Sequence, residues 1–201
     1  MKSGQINRVQ VSGYKSIRKL DLPLTAMNVL IGPNGSGKSN FIGLFRFLKH
    51  LARQELQLFV KSHGQADKFL HFGRRITKSI SMQFDFSPNR YGFQIVPDES
   101  GGFRFKNEFC EFDGSKIGYR GGIKHISLAA SGAAESGLPR PGTSRPQHHV
   151  AWAIAAWTIY HFHDTSSRSA MKAAGKVSNF EKLAPDAANV AAFLYGLRDN
   201  P

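Results

Sequence analysis

Residues 32–39 read Gly32-Pro33-Asn34-Gly35-Ser36-Gly37-Lys38-Ser39. Every fixed position of the phosphate-binding pattern G-x-x-x-x-G-K-[ST] is filled. At ordinary amino-acid frequencies about one random chain in a hundred of this length carries such a string, so its neighbours must decide its meaning. Before it, Met27-Asn28-Val29-Leu30-Ile31 is a short apolar run suited to a strand buried on both faces. After it, Phe41, Leu44, Phe45, Leu48, Leu51, Ala52 and Phe59 fall on one face of a long helix, with Arg46, His50, Arg53, Gln57 and Lys61 on the other. Strand, glycine loop and helix, in that order, is the arrangement that phosphate chemistry requires.

A triphosphate carries too much charge for one side chain to hold. In such a loop successive backbone N–H groups converge as an anion nest, and the helix N-terminus adds its positive dipole end. Gly35 and Gly37 permit positive φ and close approach of the backbone. Lys38 is placed to reach the β- and γ-phosphates, and the Ser39 hydroxyl is the candidate Mg²⁺ ligand. A glycine-rich turn without ligand is the alternative reading.

The chain has 201 residues, 41% of them hydrophobic, enough for one sizeable core or for one domain and part of a second. Its 27 Lys and Arg against 14 Asp and Glu leave a formal charge of +13. That excess points to polyanionic partners, DNA or RNA first, although the charges are dispersed enough to form a solvated basic surface instead. Cys110 is the only cysteine, which excludes an internal disulfide and favours a reduced, cytoplasmic compartment. Residues 1–5 lack the apolar stretch of a secretory signal. The longest apolar segment, Val150 to Phe162, contains His161 and is too short for a bilayer core of about 30 Å; no membrane role is expected.

Upstream of the loop, Val9 and Val11 alternate with Arg8, Gln10 and Ser12, and Ile17, Leu20 and Leu22 form a second apolar set. With Gly13-Tyr14 and Pro23 as punctuation, two short strands are predicted to lead into the phosphate-loop strand. The combination of Gly13-Tyr14-Lys15-Ser16-Ile17 with Asn28 to Phe41, at that spacing, resembles the start of the ABC-type ATPase heads of the SMC and RecF group. It is most similar to compact bacterial AAA-family ATPases related to that group, some of which serve in DNA repair or phage defence. The resemblance implies an α/β P-loop NTPase with an antiparallel meander in its first lobe, and ATP and Mg²⁺ as cofactors. The nucleotide-binding candidates are then Gly32, Asn34, Gly35, Ser36, Gly37, Lys38, Ser39 and Asn40. By the same resemblance Lys15 and Ser16 lie near phosphate or ribose; a surface turn beside a strand is their alternative. DNA and a second copy of the chain, meeting through the nucleotide site, are the implied partners.

Beyond the helix, residues 62–75 are polar and punctuated by glycine. Ile80, Met82, Phe84 and Phe86 then alternate with Ser79, Ser81, Gln83 and Asp85, a half-buried strand. Turns at 87–90 and 97–102 separate it from strands carrying Tyr91, Phe93 and Ile95, then Phe103 and Phe105. Three or four antiparallel strands ending near Tyr119 are expected. Their phenylalanines alternate strictly and read as core rather than as stacking platforms for bases. Residues 131–147 shift to Ser, Gly, Ala and Pro. The domain reading is therefore a P-loop lobe at 1–125, a flexible insertion or linker at 126–149, and a continuation at 150–201. Val150 to Tyr160 is predicted as a buried helix, residues 160–164 as a strand, and Leu183 to Leu197 as a helix opened by Pro185 and Asp186. His148-His149 and His161 with His163 invite a metal site, but no carboxylate or cysteine cluster completes a set.

A second strand ending in carboxylates and a serine-glycine signature are expected of such an ATPase. Asp98-Glu99 follows an apolar run, yet Pro97 interrupts it and a hairpin turn accounts for it better. Leu128-Ala129-Ala130-Ser131-Gly132 imitates the signature weakly, out of order. No catalytic base is nominated. The expectation is the first half of a head whose second lobe is truncated here or supplied by another polypeptide. A non-catalytic basic module that binds nucleic acid and keeps the loop for structure is the competing function.

Overall fold

Among the described residues, alternation at every second residue builds one antiparallel sheet of six strands. The computed structural model describes residues 5–86, 88–117, 122–139, 145–160, 171 and 181–199. Strands β1 (Arg8–Tyr14) and β2 (Ile17–Pro23) form a hairpin, followed later by β3 (Ile80–Asp85), β4 (Asn89–Pro97), β5 (Phe103–Asp113) and β6 (Ile123–Ser127). Their spatial order is β2-β1-β3-β4-β5-β6. Val11 faces Met82 across β1 and β3, and Met82 faces Phe93 across β3 and β4, so one face is a continuous apolar row. Gln10, Gln83 and Gln94 line the other.

Helices α1 (Lys38–Ala52) and α2 (Leu56–Ser62) bring Leu44, Phe47, Leu48, Leu51, Leu56 and Phe59 into the core. Phe47 meets Phe69 at 5.7 Å between ring centroids, and Phe69 meets Phe103 at 6.5 Å. A short helix α3 (Gly73–Ile76) precedes β3, and α4 (Pro146–Ala156) packs on α1, β4 and β5 through a face that buries Val150, Ala153 and Ile154. Phe84, Phe93, Phe103 and Phe105 are buried, as their alternation predicts.

Several expectations are corrected. Residues 27–31 are not a buried strand: they have no regular structure, and Met27, Val29 and Ile31 are 82%, 74% and 91% exposed. Apolar sequence alone does not make a strand; it needs hydrogen-bonding neighbours, and none of the six strands runs beside it. The single long helix is two, because Gln54 takes φ 60° between them. The hairpin β1–β2 does not simply precede the loop but joins the meander as its edge. The helix predicted from Val150 starts at Pro146. Tyr119, His161, His163 and Asp164 lie outside the described residues.

The Ser/Gly/Ala-rich stretch is held in place along 128–138. Both Glu135 carboxylate oxygens accept the first N–H groups of α2, from Leu56 at 2.9 Å and Gln57 at 3.0 Å, which satisfies donors that a helix start leaves open. Gln57 Nε2 donates to the Ala134 carbonyl at 2.6 Å and to that of Phe103 at 2.8 Å. On β5, Glu108 is 1% exposed. It accepts from Tyr91 Oη at 2.6 Å, from the Gly137 N–H at 2.7 Å and from Ser136 Oγ. These donors favour its charged form, but burial outweighs them and raises its pKa.

The chain divides into two compact units, Met1–Ala156 and Trp157–Pro201. Within the second, α5 (Val190–Asp199) begins later than the expected Leu183, because residues 185–186 form a turn instead. Asn189 fixes that turn, accepting from the Ala184 N–H at 2.7 Å and donating to the Lys182 carbonyl at 2.8 Å. Among the described residues no helix is long and apolar enough to cross a membrane.

Candidate phosphate-loop site

Two glycines with left-handed backbone shape the loop: Gly35 at φ 85° and Gly37 at φ 97°. Gly37 is the N-cap of α1, and no side chain caps that helix start and no acid sits in its first turn. The leading N–H groups of a 15-residue helix are thus left to an anion from outside. Lys38 folds back across the loop, its Nζ donating to the carbonyls of Gly32 at 2.5 Å and Pro33 at 2.7 Å and to Ser36 Oγ at 3.2 Å. Ser39 is exposed at the first turn, and Asn34, Gly35 and Ser36 are exposed along the rim. A cation, a hydroxyl and an uncapped helix start on one rim are the donor set that a nucleotide phosphate with Mg²⁺ calls for.

The hairpin is brought to this loop. Asn40 Nδ2 donates to Ser16 Oγ at 2.7 Å, and a Cβ added at Gly37 would stand 3.0 Å from the same hydroxyl. Lys15 turns the chain at φ 48°, with its N–H on the Phe69 carbonyl at 2.8 Å and its own carbonyl accepting from His71 Nδ1 at 2.7 Å. Its ammonium lies 5.0 Å from the Phe69 ring centroid. Burial, and then the neighbouring charge of Arg46, pull that ammonium below the usual lysine range. Tyr14 is buried edge-on against Phe47 of α1 at 5.7 Å, so hairpin and helix are packed as well as bonded.

Asp98 lies in the β4–β5 hairpin turn, accepting from Ser100 Oγ and the Gly102 N–H, each at 2.8 Å, and from Arg104 Nε at 3.1 Å. Gly132 is tied to β5 through the Phe105 carbonyl at 2.7 Å. Among the described residues, the hydrogen bonds above tie Asp98 to its own hairpin turn and Gly132 to β5. Among the described residues no group of three or more His, Cys, Asp or Glu is placed to hold a metal.

Sequence reasoning misses His71 and Arg46. The readable sign of the first is Leu70-His71-Phe72-Gly73, an aromatic pair before a glycine in a polar stretch. Helical periodicity puts Arg46 only on a solvent face, and no local pattern says that its charge acts on Lys15.

A family model described as "AAA domain, putative AbiEii toxin, Type IV TA system" matches residues 27–174. No curated protein matches the chain. One solved structure, from structural biochemistry of ATP-driven dimerization and DNA stimulated activation of SMC ATPases, is similar with a TM-score of 0.38 and 19% identity. The match covers 50% of this chain and 67% of that one.

Proposed function

The chain belongs to this AAA-domain family of ATPases, and on that premise we propose that it is the ATP-binding N-terminal portion of an SMC/RecF-like ATPase acting on DNA, in repair, maintenance or phage defence. The observation that carries the reading is the uncapped start of α1 with Lys38 and Ser39 beside it. Bound ATP with Mg²⁺ would supply the phosphoanhydride whose cleavage resets the cycle. Gly32, Asn34, Gly35, Ser36 and Gly37 would shape the cradle, Lys38 would supply charge, Ser39 would hold Mg²⁺, and Asn40 with Ser16 and Lys15 would set the hairpin against it.

The exposed run 27–31 supports a composite site. Apolar residues directly before the loop stand in water, as a strand does when its sheet neighbours come from elsewhere. Nucleotide-driven association of two heads, with hydrolysis dependent on carboxylates and a signature outside this chain, follows from that reading. The basic charge of +13 supports DNA as the partner.

Titration calorimetry with Mg·ATP on the chain and on Lys38→Ala tests the nucleotide reading. Binding that the substitution abolishes is the expected result; binding that it leaves unchanged overturns the proposal in favour of a structural loop.

A further inference from the structure

The loop that grips Lys15 also carries Phe72, which is 79% exposed and sits at φ 56°. A bulky aromatic in left-handed backbone, held out into water, contributes little to a core. His71 braces it edge-on at 4.4 Å, and His71 is itself fixed by the Lys15 carbonyl at 2.7 Å. Beside it lies a cleft of about 580 Å³, within the roughly 300–1,000 Å³ of ligand clefts. Arg18 and Lys78 supply its charge, Ser12 and Ser79 hydroxyls, and Phe72 and Ile76 apolar surface; no carboxylate lines it. Ile76 is 69% exposed. Residues 61–78 hold five cations, Lys61, Lys68, Arg74, Arg75 and Lys78, against Asp67 alone. Asp67 is already paired with Arg74 at 2.9 Å.

We propose that the cleft beside Phe72 is a contact site for single-stranded nucleic acid, with a base stacked on Phe72 and backbone phosphates against Arg18 and Lys78. The charge selects a polyanion, and the exposed ring selects among polyanions. A duplex hides its base faces in its own stack, whereas a single strand offers a face to every aromatic platform. The inference rests on the reading of DNA as partner and names the surface and the strand state.

Fluorescence anisotropy of a labelled oligothymidylate on the full chain over a salt series tests it, with a blunt duplex as competitor. Phe72→Asn is the first variant, since asparagine tolerates left-handed backbone and the replaced ring is exposed. It should weaken binding roughly tenfold, and Phe72→Trp should restore it. Arg18→Gln with Lys78→Gln should lower the slope of log affinity against log salt by about 0.7 for each phosphate no longer neutralised. Wild-type affinity in Phe72→Asn, or a duplex that competes as well as the single strand, overturns the cleft proposal alone. If the unmodified chain binds neither nucleic acid, the DNA reading falls with it.

Discussion

Asn40, in the first turn of α1, donates to Ser16 Oγ of the β1–β2 hairpin at 2.7 Å, a bond between residues 24 apart in the chain. Through it the hairpin is tied to the helix that follows the phosphate loop, which Lys38 also braces from within. In a double-mutant cycle, Ser16→Ala and Asn40→Ala should couple by about 1 kcal/mol in urea unfolding. Each alone should weaken Mg·ATP binding several-fold. Strict additivity would show that the hydrogen bond does not brace the loop.

Gly13 is needed twice over: its φ is 78°, and an added Cβ would run into the Ser79 carbonyl oxygen and stand 2.8 Å from the Thr77 methyl. Gly35 has φ 85° but open space around it. Gly13→Ala should therefore cost more than about 2 kcal/mol, and Gly35→Ala only about 1 kcal/mol of backbone strain. Equal costs in paired denaturation curves would contradict the close approach of hairpin and β3.

Glu108 has its pKa raised by burial. Between the ordinary carboxylate value and the raised one the folded state holds more protons than the unfolded, so stability falls as pH rises through that window and recovers as pH drops. Glu108→Gln should flatten this part of the stability profile. Glu108→Ala should cost about 3 kcal/mol, since Tyr91, Ser136 and the Gly137 N–H lose their acceptor.

Asp21 behaves in the opposite sense. The Arg8 hydrogen bond, then that of Gln10, lowers its carboxyl to about 2. Its contribution is present above the ordinary aspartate range and is lost as pH falls through about 2. Carbon-13 NMR titration should place this carboxyl near that value, and Arg8→Gln should return it toward the usual range. An unchanged titration in that variant would show that the pair does not persist in solution.

Much of this is legible locally. The phosphate loop declares itself by residue type, and the strands β3 and β4 by a period of two that no helix can share. Resemblance singles out Lys15 and Ser16, and in the fold Ser16 Oγ accepts from Asn40 of α1. What is illegible shares one cause. The run 27–31 has the composition of a buried strand, but its burial depends on which strands stand beside it. The start of α2 after the break at Gln54 is capped by Glu135, 79 residues away from Leu56 in the chain. Residues 128–138 have the composition of a linker because small residues suit both linkers and tight packing.

By itself the sequence determined the phosphate loop, the class of fold and the alternating strands, since each follows from residue type and local periodicity. Tertiary structure alone decided that β1 and β2 edge the same sheet as the meander, that Asn40 and Ser16 meet, and that Phe72 stands in water beside Arg18 and Lys78. Those outcomes turn on meetings between residues distant in the chain, and a local pattern carries no record of them.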